Sequence, residues 1–289
     1  MHGMKEMEKW ITMIRNEIVS EIRKYSSCCD ISVFAMNKKT VLFSFNEDHV
    51  QDAACTLKVF IMLEYYRQKN VGIIDGNELI EITEDNAATG AGTIKFLSYG
   101  MKVKVSVLVE LMVAISDHMA ANLLIDYLGI DNINRTIQSY GFEKTILLKK
   151  YIVPKNKHVA EISAYEYARF YKMLDNNELI NPQCCSEMKA ILFSQKYKDF
   201  LAEPLLKYKH YVDMASKSGK VDGRTTDIIT NSCVNDGGIC ITKNNDYYIA
   251  FLAEIHAKSE VKMSEMKELM HKVSKFVFEE NGKNEIDFC

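Results

Sequence analysis

The chain is poor in several features that would each have pointed to a function. With 36 basic and 39 acidic residues and a net charge of −3, no excess of either sign favours a nucleic-acid backbone or an anionic membrane surface. No run of about 18 apolar residues is present, so no membrane span is expected. The 8 cysteines include no CxxC pair and no His/Cys cluster with metal spacing. Four of them form adjacent pairs, Cys28 with Cys29 and Cys184 with Cys185, and most are read as reduced thiols. Neither a metal nor a cofactor is expected. Only 3 prolines punctuate the chain, and internal repeats and low-complexity segments are lacking.

What is present suits a globular protein: 289 residues, 47% of them hydrophobic, enough for a sizeable core in one large domain or two packed lobes. The opening residues carry apolar positions at Trp10, Ile11, Ile14, Ile18 and Ile22 with charges between them. That spacing predicts an amphipathic helix and not a secretion signal, so the expected location is the cytoplasm. ISVFAM (31–36) and VLFSF (41–45) flank a polar turn and read as a hairpin. MASKSG (214–219), IITNSCV (228–234), GGICIT (237–242) and YYIAFLAEI (247–255) read as strands, with turns at Asn235-Asp236-Gly237-Gly238 and Asn244-Asn245-Asp246. Met263, Met266, Leu269, Met270, Val273, Phe276 and Val277 trace one face of a closing helix.

Between these ends, LKVFIMLEYYRQ, VSVLVELMVAIS, HMAANLLIDYLG, INRTIQSYG and SAYEYARFYKML all have helical periodicity. The expected fold is an α/β (α+β) sandwich: an antiparallel five-stranded sheet flanked by the terminal helices, with an inserted all-helical lobe. The division places 1–50 and 206–289 in the α/β lobe and 51–205 in the helical lobe. A small-molecule site is expected in the cleft between them.

Three short stretches carry candidate chemistry. In AACTLKVF, Cys55 and Lys58 stand three apart at a predicted helix start, where dipole and lysine would both favour the thiolate; the alternative is a buried cysteine that merely packs. Ser116-Asp117-His118 interrupts an apolar run before a helix and reads equally as an N-cap. Lys217-Ser218-Gly219 lies in a predicted strand, where an edge lysine and a glycine bulge are the plain alternative.

In this order and at these separations, CTLK, SDH and KSG resemble the SxxK, SDN and KTG motifs of the class A β-lactamases and, more widely, the penicillin-recognising serine hydrolases. VFIMLEYY after Lys58, DHMAANLLIDYLG after Ser116, and the first helix and hairpin extend the resemblance over nearly the whole chain. It implies that Cys55 is the nucleophile and that Lys58 takes or holds its proton. Ser116 would relay a proton to the leaving group, and Asp117 would hold the helix start. Lys217 would bind a substrate carboxylate, with Ser218 as a further anion contact beside Gly219. The backbone N–H groups of Cys55 and Lys220 would form the oxyanion hole.

Three departures qualify that inheritance. The nucleophile is a thiol, with an ordinary pKa of about 8.5, and needs far less help to ionise than a hydroxyl. A replacement of serine made to trap an intermediate is the other origin of such a cysteine, although the remaining departures favour a chain that diverged as a whole. In the loop after the helical middle, gap-free alignment on Pro154 and Ser163-Ala164 puts the deacylating glutamate's position at Ile146 and the following Leu-Asn at Lys149 and Lys150, with Glu143 and Glu161 outside the motif. The second motif ends in His118, whose imidazole donates, accepts or titrates where an amide would contact substrate.

Together these imply a cytosolic cysteine acyltransferase forming a thioester on Cys55 and passing the acyl group to an amine, thiol or water, and a poor β-lactamase. The alternatives are a hydrolase of a small amide, peptide or thioester, and a non-catalytic covalent ligand-binding or sensor protein. The expected partner is a small-molecule or peptide acyl substrate, carboxylate-bearing if Lys217, Ser218 and Arg224 face it; neither nucleic acid nor membrane is expected, and the oligomeric state stays open.

Overall fold

The computed structural model describes residues 2–151, 158–210, 212–224, 229–243 and 245–282. Its first helix, α1 (His2–Lys24), buries Ile11, Ile18 and Ile22; the side chain of Trp10 lies outside the described residues. Strands β1 (Cys29–Asn37) and β2 (Val41–Phe45) form the expected antiparallel hairpin. Asn37 closes its turn, because Oδ1 accepts from the N–H groups of Lys39 and Thr40, both at 2.8 Å.

The chain then leaves the sheet through β3 (Val50–Asp52) and a single 3₁₀ turn, Ala54–Leu57, that runs into α2 (Lys58–Asn70). Every residue of α2 from Lys58 to Tyr66 is buried, as expected of a helix apolar on all sides and placed at the centre of a lobe. Around it follow the hairpin β4 (Leu79–Glu81) and β5 (Lys102–Lys104), and helices α3 (Val105–Ala114), α4 (His118–Leu128) and α5 (Ile130–Ser139). The short strands β6 (Ile146–Leu147) and β7 (Ala160–Ser163) pair with each other, and β7 also pairs β3. Helices α6 (Ala164–Asp175) and α7 (Pro182–Phe193) complete the lobe. Ser163 caps α6 as its sequence position suggests, and Asn181 caps α7, with Pro182 in the first turn. The helical reading of the middle did not include α7.

The return to the sheet comprises β8 (Val212–Ser216), β9 (Gly219–Val221), β10 (Ser232–Thr242) and β11 (Tyr247–Ile255), closed by α8 (Met263–Asn281). The sheet order is β2-β1-β11-β10-β8, with β9 also pairing β10. Along β11, Tyr247, Ile249, Phe251, Ala253 and Ile255 join the core under the terminal helices, whereas Tyr248, Ala250 and Leu252 join the core of the helical lobe. A strand covered on both faces reads as the unbroken apolar run that YYIAFLAEI is.

Two details differ from expectation. The turn expected at residues 235–238 is absent: β10 continues through it as one strand. The glycines serve close approach, since a Cβ at Gly237 would lie 2.5 Å from the Tyr167 ring and one at Gly238 2.5 Å from the carbonyl oxygen of Ala215. The segment expected as one strand over 214–219 is broken at Lys217-Ser218, so β8 and β9 share a single edge and the sheet has six strands in five rows. On that edge the Lys198 ammonium donates to the Met214 carbonyl at 2.6 Å. The second expected turn includes residue 244, and the strand expected from residue 228 begins outside the described residues. Cys28, Cys29, Cys55, Cys184, Cys185 and Cys240 form no disulfide, and no described helix is long and apolar enough to cross a membrane.

Candidate active site

Cys55 sits in the 3₁₀ turn between β3 and α2, and several bonds fix that turn. Ala53 N–H donates to Ala160 O at 2.8 Å, Ala54 N–H donates to Asp52 Oδ1 at 2.8 Å, and Thr56 Oγ1 donates to Ala53 O at 2.6 Å. Ala54 itself has φ +47°, a left-handed conformation that a non-glycine residue keeps only when its surroundings impose it. On the other side β9 comes so close that a Cβ at Gly219 would lie 2.8 Å from the Cys55 nitrogen. This is a physical reason for glycine in the third motif. The Cys55 side chain is nearly enclosed, the residue being 6% exposed.

One turn after Cys55, at the first residue of α2, Lys58 is fully buried. Its ammonium donates to Ser116 O at 2.7 Å, to Ser116 Oγ at 3.3 Å and to Asp117 O at 3.4 Å. Lys217, equally buried, donates to the same Ser116 Oγ at 3.1 Å, to Ser218 O at 2.6 Å and to Gln195 Oε1 at 3.4 Å. Thus one hydroxyl stands between two ammonium groups. Ser116 reaches this position with φ +57°, a second strained residue at the site. Asp117 turns its carboxylate the other way, accepting from Ala120 N at 2.9 Å as the cap of α4 and from Thr93 and Ile94 N at 2.6 and 2.9 Å. Its role is structural, as its motif position implied.

His118, expected on the substrate wall, lies directly beside the sulfur. Its Nε2 lies 3.3 Å from Cys55 Sγ, and its Nδ1 lies 2.9 Å from the Thr89 carbonyl oxygen. A carbonyl only accepts, so Nδ1 carries a proton and Nε2 is the nitrogen free to exchange one with the sulfur. The loop supplying that carbonyl is built around the motif: a Cβ at Gly90 would lie 2.9 Å from the His118 ring and one at Gly92 2.3 Å from the Asp117 carboxyl carbon, and both glycines have positive φ.

Ile146, aligned with the deacylating glutamate's position, lies in a short strand. It belongs to β6, opposite Glu161 of β7; Glu161 pairs with His158 at 2.8 Å, and Glu143 is exposed. Among the described residues of this loop Tyr151 reaches in: its hydroxyl donates to Ala54 O at 3.0 Å, and its ring lies 4.8 Å from the Lys58 ammonium and 5.6 Å from the His118 ring. Asn122 of α4 holds the Tyr151 backbone at both ends, accepting from its N–H at 2.7 Å and donating to its carbonyl at 3.4 Å. Pro154, one anchor of the gap-free alignment, lies outside the described residues.

Gln195, which nothing in the sequence singled out, ties the third motif together. Its Oε1 accepts from Ser218 N at 2.9 Å and Ser218 Oγ at 3.3 Å, and its Nε2 donates to Ser216 Oγ at 2.9 Å. Lys220 follows in β9 with an exposed side chain. Arg224 is engaged elsewhere, donating to Ser259 O and Val261 O at 2.5 and 2.8 Å. Burial opposes ionisation of Cys55, but the positive charges of Lys58, His118 and Lys217 outweigh it and hold the thiol well below its ordinary pKa. Burial lowers Lys58, against the pull of Cys55 and Asp117, and takes Lys217 down to about 7. The geometry thus assembles an ionisable thiol, a proton-exchanging ring and two buried lysines, a set suited to attack on a carbonyl carbon.

The sequence matches the profile of the beta-lactamase enzyme family over residues 13–280. The chain belongs to that family. Among solved structures, the β-lactamase of Sphaerobacter thermophilus has a TM-score of 0.80 at 21% identity, covering 92% of this chain and 96% of its own. The structure of PBP-A has a TM-score of 0.79 at 21% identity, with 93% and 95% covered. A PBP-A variant solved as an acyl-enzyme with penicillin G has a TM-score of 0.78 at 22% identity, with 93% and 96% covered. A comparison with curated proteins gives no match. The beta-lactamase fold is thereby established for this chain.

Proposed function

We propose that this family member is an acyl-transfer enzyme whose nucleophile is Cys55. The observation that carries the reading is the pairing of Cys55 Sγ with His118 Nε2 at 3.3 Å, the other ring nitrogen being fixed on Thr89 O. A thiolate formed there attacks the acyl carbon of an amide or thioester. Lys58 and Lys217, joined through the Ser116 hydroxyl, add positive charge that favours the thiolate. The N–H groups of Cys55 and Lys220 receive the developing oxyanion, a role in which losing one donor typically costs about 100- to 1,000-fold in rate. The product of this step is a thioester on Cys55.

The fate of that thioester distinguishes this chain from a β-lactamase. Tyr151 fills the space beside Lys58 and His118, and no carboxylate among the described residues forms an ion pair with Lys58 or Lys217. Water activation by a loop glutamate is therefore not part of this reading, and a thioester is intrinsically open to amines and thiols. Capture of penicillin G by PBP-A as an acyl-enzyme, seen in the structure of that protein's variant, supports covalent acylation on this frame. A second reading, a small-amide or thioester hydrolase, is favoured by the partial exposure of His118, which leaves its ring within reach of water.

The deciding experiment incubates the protein with an alkyl thioester, with and without a primary amine, and follows intact mass and products. An acyl adduct mapped to Cys55 that the amine discharges supports transfer. Discharge by water at the same rate whatever the amine concentration supports the hydrolase, and no adduct on Cys55 removes both readings. With penicillin G the expected outcome is a persistent adduct and little turnover.

A further inference from the structure

His118 is oriented more firmly than a substrate-wall residue needs to be. Its backbone N–H donates to Ala91 O at 3.1 Å, its Nδ1 is on Thr89 O at 2.9 Å, Gly90 leaves no room for a side chain against the ring, and Tyr151 covers one side at 5.6 Å between centroids. The Lys95 ammonium donates to the Gly90 carbonyl and so ties the same loop. What remains is Nε2, aimed at the sulfur.

The lysines are placed differently. Lys58 has three oxygen acceptors within hydrogen-bond distance and Lys217 has three, which matches the three N–H bonds of each ammonium. Both are fully buried. To act as a base toward an incoming molecule, either would have to break a bond it already makes. His118 is partly exposed, and the partner of its Nε2 is the sulfur itself, so acylation of that sulfur frees the nitrogen for an incoming molecule.

From this difference we infer that His118 is the catalytic proton carrier of both half-reactions, and the base that activates the acyl acceptor, while the Thr89–Gly92 loop positions it. The inference rests on the acyl-transfer reading above. In the resting site the sulfur is a thiolate and Nε2 carries a proton. The sulfur forms a bond to the acyl carbon, the bond from that carbon to the leaving group X breaks, and X departs with the Nε2 proton. His118 is now neutral. An acceptor H–Nu then gives its proton to Nε2 as Nu bonds to the acyl carbon, and the C–S bond breaks with its electron pair returning to sulfur. The sum is RCO–X + H–Nu → RCO–Nu + H–X, and the thiolate with protonated His118 is restored. The acceptor class is a primary amine or a thiol, each of which brings the required proton. Ser116 keeps its place between the lysines.

p-Nitrophenyl acetate separates the two steps, because its leaving group needs no proton. At about pH 9 a thiol ionises without help, so a His118→Ala variant should still show the burst of p-nitrophenolate and gain one acetyl group on Cys55. Breakdown of that acetyl-enzyme with glycine ethyl ester as acceptor should fall by about 100-fold or more, the usual range for losing a general base. Added imidazole should restore a measurable part of it, which a purely structural defect would not permit. His118→Gln keeps a polar side chain of similar reach and should show the same slow breakdown, so a folding failure of the alanine variant leaves the question decidable. Breakdown at the unaltered rate in either variant overturns the inference, as does a slowed breakdown in the alanine variant that imidazole leaves unchanged. If the unaltered protein never gains acetyl on Cys55, the parent reading fails and takes this one with it; acetylation that proceeds normally and discharges without His118 defeats this one alone.

Discussion

The sulfur of Cys55 and Nε2 of His118 are 3.3 Å apart, while Nδ1 of the same ring lies 2.9 Å from the Thr89 carbonyl oxygen. The cysteine and the histidine come from two different sequence motifs and meet only because α2 and α4 pack side by side in the helical lobe. Their meeting gives an otherwise enclosed thiol a proton partner.

That partnership has a measurable pH signature. Because Lys58, His118 and Lys217 hold the Cys55 thiol well below its ordinary pKa, iodoacetamide at about pH 6.5 should label Cys55 ahead of the other cysteines; burial pushes Cys29 and Cys240 up to about 12. Peptide mapping after short exposures reads this directly. His118→Asn should move the inflection upward by about 1 to 3 pH units, the usual effect of losing an adjacent opposite charge. Parallel labelling of all cysteines would show that no such thiolate exists.

Lys217 should trade stability for function. Burial lowers its pKa from 10.5 to about 7, so below about pH 7 it is charged in both folded and unfolded chains and the folded chain bears the full penalty of enclosing that charge. As pH rises from 7 toward 10.5 the folded chain is already neutral while the unfolded one is still protonated, and the penalty fades. Lys217→Met should therefore abolish acyl transfer yet raise the melting temperature by a few degrees at pH 6, and by little at pH 10. A variant that melts lower at pH 6 would show that the hydrogen bonds of Lys217 outweigh its desolvation.

Tyr151 separates packing from chemistry. Tyr151→Phe removes the hydrogen bond to Ala54 O and should cost about 1 kcal/mol by denaturant titration, with the acyl-enzyme lifetime nearly unchanged. Tyr151→Glu places a carboxylate next to Lys58 and should shorten that lifetime in water relative to the unaltered protein, read by intact mass after rapid removal of excess acyl donor. An unchanged lifetime would mean that the tyrosine is not what keeps water from the thioester.

Gly219 tests the oxyanion site. A methyl group there would press to 2.8 Å from the Cys55 nitrogen, displacing β9 from the nucleophile. Gly219→Ala should lower acylation by about 100-fold while leaving iodoacetamide labelling of Cys55 largely intact, since alkylation develops no oxyanion. Equal loss of both would point to a collapsed turn instead.

Much of this was legible in the chain itself. The alternation and apolar runs of β1, β2 and β11, the periodicity of α2 to α6, and the three motifs placed the sheet, the lobe and Cys55, Lys58, Ser116 and Lys217. Legibility failed where one residue type serves two purposes. Asn235-Asp236-Gly237-Gly238 has the composition of a turn, but its glycines answer to the Tyr167 ring and the Ala215 carbonyl across the sheet, contacts that no local pattern encodes. Tyr151 was hidden because its contacts with Lys58, His118 and Ala54 are all distant in sequence; the buried Asn122 on an otherwise apolar face of α4 was the available clue to that clamp. Gln195 lies just past a helix that periodicity did not bring out, and its importance appears only when β8 is beside it.

The break between β8 and β9 also bears on how the molecule behaves in crowded solution. An unpaired strand edge invites another chain to extend the sheet. Here that edge is interrupted at the buried Lys217-Ser218 step, and Lys198 takes up the Met214 carbonyl with a charged side chain. The same interruption that brings Lys217 to Ser116 leaves this border a shorter template for intermolecular pairing, so one irregularity shapes both the cluster and the rim of the sheet.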